Sequence, residues 1–422
     1  MLKMKPKIFL LGIDQMILPL TKKLIARGNL PNLKKLVSDG SANQVLASFP
    51  GWTPTNWATI STGADTGTHG LFGWRIDMPS GQNLTAFNSH TVKAETIWEA
   101  AEKQGIKSAT VHYPASMPSR LKYGYTIDGD GIPGYGESRF ELSPSKCYAT
   151  YDVTNSEKIM IRKAKDWKNL PRNKNALETE IKIITKFKGV DKIWNILILD
   201  TNNKGFDKIL ICKNKDVNNK IINASIGKWS EWGFDNFIVE GKHRKGSFRF
   251  KILELSNDGE KIKFYRSQIM PTDGFTYPNQ IGEELIDKIG PYQEHVSDYP
   301  EHLGWADYET CLQEAEYQAQ WFAKAALYLS EHKDTSLFYS HWHFLDTINH
   351  HNLAQVDPLW PEYDSETAEK HWKYIEDAYK IIDRYVETIL KNMSKDDYIV
   401  MVSDHGNIPV HRNILIEKFL IF

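Results

Sequence analysis

The stretch from Phe49 to Gly70 is dense in hydroxyls and glycines and carries a single asparagine, Asn56. Pro50, Gly51 and Pro54 predict a loop at its start. Trp57, Ala58, Ile60 and Ser61 predict a helix that stops at Gly63. A hydroxyl where a loop opens into a helix lies among backbone N–H groups and a dipole that favour an anion. Thr53 is therefore placed to meet a phosphate or sulfate. The plainer role for Thr53 or Thr55 is that of a helix N-cap.

Three other places carry acids and histidines: Asp14, Asp346 with His350, and Asp404 with His405. Asp and His together suit zinc or a similar borderline cation. Asp346 and His350 stand four apart, so a helical turn puts both on one face. A tight turn at Gly406 brings Asp404 and His405 together. Two cations about 4 Å apart clamp the attacking and leaving oxygens of phosphoryl transfer, and one of them activates a threonine hydroxyl too weak to attack unaided. Each place also has an ordinary structural role, as a cap, a solvent-facing polar pair or a strand-ending turn. Their shared position at strand ends argues against four coincidences. His341 and His343 fall on one face of a strand and are expected to be structural or to stand behind the ligands.

The elements that must position these residues follow from the apolar pattern. Ile8–Ile13 is a nearly continuous apolar run, as in a buried parallel strand, and Asp14 ends it, where open α/β sheets gather ligands. Helices are expected from Leu18 to Gly28, from Leu30 to Gly40, over 95–104, over 306–330 and over 371–393. Strands are expected over 107–112, 336–343 and 398–402. From about 143 to 292 Lys and Asn become frequent, and alternating runs such as Phe248–Leu255 predict a mostly β insertion. The glycine-rich Asp128–Gly134 reads as a turn or lid, since it lacks the other positions of a calcium loop. The chain is thus α/β, with a core from 1–142 and 293–422 and an inserted cap or substrate subdomain from 143–292.

The 422 residues are 41% hydrophobic and 25% charged, with a formal net charge of -1. That balance gives no basic field for a nucleic-acid polymer or a membrane surface. The three cysteines are far apart and form neither a metal pair nor a disulfide framework, which fits a reducing compartment. The N-terminal apolar run is too short for a signal peptide, and no stretch is long enough to span a bilayer. A cytoplasmic location is expected; oligomeric state has no signature.

The order of these motifs resembles the type I phosphodiesterase/nucleotide pyrophosphatase branch of the alkaline phosphatase superfamily. The resemblance rests on Gly12-Ile-Asp14, Thr53-Pro-Thr-Asn56 with Thr62-Gly63 and His69-Gly70, Asp346-Thr-Ile-Asn-His350 and Ser403-Asp-His-Gly406, supported by Thr96-Ile-Trp98 and Tyr113-Pro114. It covers residues 7–135 and about 300–410. It implies an alkaline-phosphatase-like fold, a doubly wound, mostly parallel sheet between helices, and a phosphoester hydrolase of phosphodiesterase type acting on a small substrate. It also implies two divalent metal ions, with zinc the first choice and manganese or iron the others. Asp346 and His350 would hold one, and Asp14, Asp404, His405 and the Thr53 oxygen the other. Thr53 would attack phosphorus to give a phospho-threonine that water then hydrolyses, and Asn56 would donate to a phosphoryl oxygen. Thr53 departs from the Cys or Ser of a sulfatase.

Family members carry a further histidine well downstream of Asp-His-Gly. The one histidine after His405 here is His411, six residues on and not at the family's position, so the chain resembles a C-terminally short member with His411 as a weak candidate for the missing ligand. Two alternatives follow: a degenerate homologue that binds a phosphorylated ligand or partner, and a phosphomutase or phosphonate hydrolase of the same superfamily.

Overall fold

The computed structural model describes residues 6–129, 140–171, 175–186 and 188–412. The chain divides into two units, Met1–Gly136 with Ala315–Phe422, and Glu137–Glu314. The division therefore falls at 136/137 and 314/315, against 142/143 and 292/293 expected from composition. Most of the Asp128–Gly134 loop lies outside the described residues.

In the first unit the apolar run Ile8–Ile13 forms strand β1. With β2 (Ser108–Val111), β3 (Tyr125–Ile127), β4 (Leu337–Trp342) and β5 (Tyr398–Val402) it makes a sheet in the order β3-β2-β4-β1-β5. Every pair is parallel. The strands are short and apolar because helices cover such a sheet. Gly12 pairs with His341 on one side and Val402 on the other. Three neighbouring strands therefore end level, at Asp14, at His343 and at Ser403-Asp404.

Helix α1 (Thr53–Thr62) begins earlier than the prolines suggest. Pro54 occupies its first turn, where a missing N–H costs nothing because that group has no intrahelical partner. Trp52 is the N-cap residue and makes no side-chain cap, while Gly63 ends the helix in the left-handed region at φ 65°. Neither Thr53 nor Thr55 is a cap. Trp57, one turn after Thr53, is fully buried. It packs edge-on against Tyr113 and His341, and a Cβ on Gly12 would come within 2.7 Å of its ring. A side chain at position 12 would push the helix off the sheet.

Helix α2 (Phe344–Asn352) follows β4 after one residue. Helix α3 runs Ser365–Leu390, starting before the expected 371 because Asp364 caps it by accepting from the Thr367 N–H. Its Tyr379 hydroxyl accepts from the Ile17 N–H at 3.0 Å, and Tyr385 bonds Ser340 at 2.8 Å. These buried bonds pin the chain just after β1 and the middle of β4.

The second unit is mostly β. Five strands pair in the order 220–225, 208–212, 192–199, 177–183, 162–163, all antiparallel. Phe250–Leu255, Ile262–Arg266 and Lys146–Ala149 form a second sheet with Glu157–Lys158. The run read as one strand at 248–255 is split: Lys242–Phe248 pairs in a third sheet, and Arg249 is the crossing point. Trp194, Phe237, Phe248, Phe250 and Phe264 centre its core. Residues 293–314 belong here because Glu294 N–H donates to Gln268, and Gln293 and Tyr265 both donate to Glu314.

Candidate metal centre

The carboxyl ends of β1, β4 and β5 deliver Asp14, Gln15, His341, His343, Asp404 and His405 to one place, and α1 and α2 bring Thr53 and Asp346. Asp14 is fully buried. Its Oδ2 accepts from His341 Nε2 and His343 Nδ1, each at 2.9 Å. Its Oδ1 has no hydrogen-bond partner, and neither has Asp404 Oδ2. His405 Nε2 lies 3.7 Å from the first and 3.2 Å from the second. The same nitrogen is 3.0 Å from Thr53 Oγ1.

The tautomer of His405 follows from its other nitrogen. Nδ1 lies 2.9 Å from the Gly406 carbonyl, which can only accept. Nδ1 therefore carries the proton, and Nε2 presents a lone pair to Thr53 and the two carboxylates. Two bare buried carboxylate oxygens, an imidazole lone pair and a hydroxyl oxygen form a donor set that asks for a cation.

The electrostatics agree. Burial alone would raise the Asp14 carboxyl, but the charge of His343 and hydrogen bonds from His341 and His343 hold it well below the usual range. Asp404 goes the other way: burial, then the charge of Asp14, push it well above. Burial brings His341 down to about 4 against the pull of Asp14, so it is neutral and donates through Nε2. Burial also opposes a charge on His343, yet Asp346 and Asp14 outweigh it and its pKa is raised.

Asp346 and His350 lie on one face of α2, as their spacing predicts, with His350 Nε2 3.4 Å from Asp346 Oδ1. Asp14, Asp346 and His405 each offer an atom within 4.8 Å of the others. Between Asp346 and His350 stands Gln15, whose Nε2 is hydrogen-bonded to both. No spacing rule pointed to Gln15. Asn56 is buried in the first turn of α1, with Oδ1 accepting from the Ser48 N–H of the preceding loop at 2.7 Å and Nδ2 donating to the Trp52 carbonyl at 3.0 Å. His411 is bonded to Asp357 at 2.7 Å, rather than to Asp346 or His350.

His341 and His343 hold Asp14 directly, and with it form a second group of possible ligands. Their spacing of two was legible; their contact depends on the register of Gly12 against His341. His69, at the end of the 49–70 stretch, accepts from the Leu71 N–H and bonds Thr59, closing the turn after α1.

The family profile of type I phosphodiesterase / nucleotide pyrophosphatase matches residues 8–198 and 259–422. The chain belongs to this family, a metal-dependent branch of the alkaline phosphatase superfamily. A venom phosphodiesterase from Naja atra is 34% identical over 94 residues, 21% of this chain and 11% of that protein. Phosphonoacetate hydrolase from Sinorhizobium meliloti 1021, solved with phosphonoformate and with phosphonoacetate, aligns at 12% identity and a TM-score of 0.41, covering 96% of this chain and 56% of that one. The chain thus spans about half of that solved structure and about a tenth of the venom enzyme. Among the described residues no helix is long and apolar enough to cross a membrane. Its three cysteines are free and buried.

Proposed function

We propose that the chain hydrolyses small phosphoesters of the phosphodiester or nucleotide pyrophosphate type, with Thr53 as nucleophile. The observation that carries this reading is the 3.0 Å contact of Thr53 Oγ1 with His405 Nε2, beside the bare oxygens of Asp14 and Asp404. A divalent cation held by Asp14, Asp404, His405 and Thr53 Oγ1 would supply Lewis-acid charge and lower the pKa of the threonine hydroxyl. Zinc suits this donor set, as do manganese and iron.

The chain's own groups account for the rest. Thr53 stands at the first position of α1, where unpaired backbone N–H groups and the helix dipole favour a phosphoryl oxygen. Asn56 Nδ2 has a second hydrogen beyond the one given to Trp52, free for the same purpose. Thr53 Oγ1 forms a bond to phosphorus as the ester oxygen leaves, and water then breaks the phospho-threonine. His341 and His343 keep Asp14 ionised and fixed in orientation.

Bis-p-nitrophenyl phosphate with added zinc or manganese provides the assay. Thr53→Ala is expected to lower kcat by about a thousandfold or more, and Thr53→Ser to keep part of the turnover. Full activity in Thr53→Ala would rule out the nucleophile assignment.

A further inference from the structure

Gln15 follows Asp14 at the end of β1 and is 1% exposed. Its backbone sits in the left-handed region at φ 58°, a conformation that disfavours any side chain other than glycine's. All four of its polar groups engage the site. Its N–H donates to Asp404 Oδ1 at 3.2 Å, and its carbonyl accepts from Asn349 Nδ2 at 2.9 Å. Its Oε1 accepts from Asn407 Nδ2 at 2.9 Å. Its Nε2 meets Asp346 Oδ1 and lies 2.9 Å from His350 Nε2.

The orientation of this amide is fixed by its neighbours. Asn407 Oδ1 accepts from the Ile408 N–H at 2.8 Å, so the Asn407 amide must present Nδ2 to Gln15. Gln15 must answer with its oxygen, which turns its NH₂ toward Asp346 and His350. One hydrogen goes to a carboxylate lone pair and the other to an imidazole lone pair. These are the two lone pairs through which Asp346 and His350 would bind a cation. The other Asp346 oxygen lies 3.5 Å from His343 Nε2. At the neighbouring cradle the reverse holds, since Asp14 Oδ1 and Asp404 Oδ2 are both bare.

We infer that Gln15 is a built-in occupant of the second cation position, so that the chain binds one divalent cation, at Asp14, Asp404 and His405, instead of two. The inference rests on the phosphoester-hydrolase reading of the site. It concerns stoichiometry, which is measured without turnover.

Zinc content per chain is measured by elemental analysis after dialysis, and zinc binding by calorimetric titration, for the full chain and for Gln15→Gly. Glycine suits φ 58°, so the variant keeps its backbone; Gln15→Ala and circular dichroism of both provide a check on folding. One zinc in the parent chain and two in Gln15→Gly is the expected result. Two in the parent would overturn the role of Gln15 while leaving the metal centre intact. One in both the parent and the folded Gln15→Gly would overturn it as well. None in the parent would overturn the metal centre itself, and this inference with it.

Discussion

Asp14 gives its two oxygens different work. Oδ2 is saturated by two histidines, while Oδ1 is left beside Asp404 and His405. Asp404 carries the cost, because burial and the neighbouring charge raise its pKa well above the usual range. A raised carboxyl pKa means that the native state holds its proton longer than the unfolded chain does. That contribution is complete below the unfolded value of about 4 and is lost as pH rises toward the folded one. At neutral pH a cation can take the place of the proton. Asp404→Asn should therefore raise the Tm in a chelator by a few degrees, corresponding to about 1–3 kcal/mol of relieved burial. With saturating zinc the order should reverse, since the parent alone gains binding energy. Thermal melts in both conditions check this; a variant more stable in both would mean that Asp404 meets no cation. As candidates, Asp14, Asp346, His350, Asp404 and His405 stood out because each borders an apolar run or follows a helical spacing, and Thr53 because it is a hydroxyl where a loop opens into a helix. Gln15 did not, because an amide beside an acid has no signature until the fold brings Asn407 and α2 against it.

At the scale of elements, the site depends on α1 lying close on β1. That closeness needs Gly12, where a Cβ would stand 2.6 Å from the Ser340 carbonyl and 2.7 Å from the Trp57 ring. Gly12→Ala should destabilise the chain by about 1–3 kcal/mol through overpacking. Because Thr53 shares the face of Trp57 one turn earlier, the same change should lower the kcat of the proposed phosphodiesterase reaction more than it raises KM. Denaturant unfolding and steady-state kinetics on one preparation test both. An unchanged kcat would show that α1 shifts without moving its first turn. Four of these five parallel strands were readable from apolar runs, while the short β3 was not. The start of α1 was not, since Pro54 reads as a helix breaker unless the first turn is known to need no N–H. Nor was the break at Arg249, where alternation continues from one strand into the next while the partner strand changes.

On the scale of the whole chain, the unit that carries the candidate metal centre is discontinuous: β1 and α1 come from before the 137–314 unit, and β4, α2 and β5 from after it. The shift in composition runs from about 143 to 292, inside the Glu137–Glu314 unit. The segment to Glu314 joins the β unit through buried hydrogen bonds of Gln293, Glu294 and Glu314, which leave no compositional trace. The β unit has its own charged clasp. Glu178, nearly buried on the 177–183 strand, accepts from Arg162 Nε at 2.7 Å, Trp167 Nε1 at 2.6 Å and Lys215 Nζ at 2.9 Å. Burial works to raise its pKa, but these donors bring it down to about 2. A depressed carboxyl pKa gives stability that is present above the unfolded value, about 4.3, and lost as pH falls through the folded one. Glu178→Gln should therefore weaken the β unit at pH 7 by up to ~3 kcal/mol. The deficit should shrink as pH falls from about 4.3 toward 2. All of these bonds stay within 137–314. Amide hydrogen exchange in the variant should accordingly speed up over Leu177–Ile183 and Lys192–Leu199, while β1 and β4 keep their protection. Equal loss of protection in β1 would mean that the two units unfold as one cooperative body, and that the metal centre draws its stability from the β unit as well as from its own sheet.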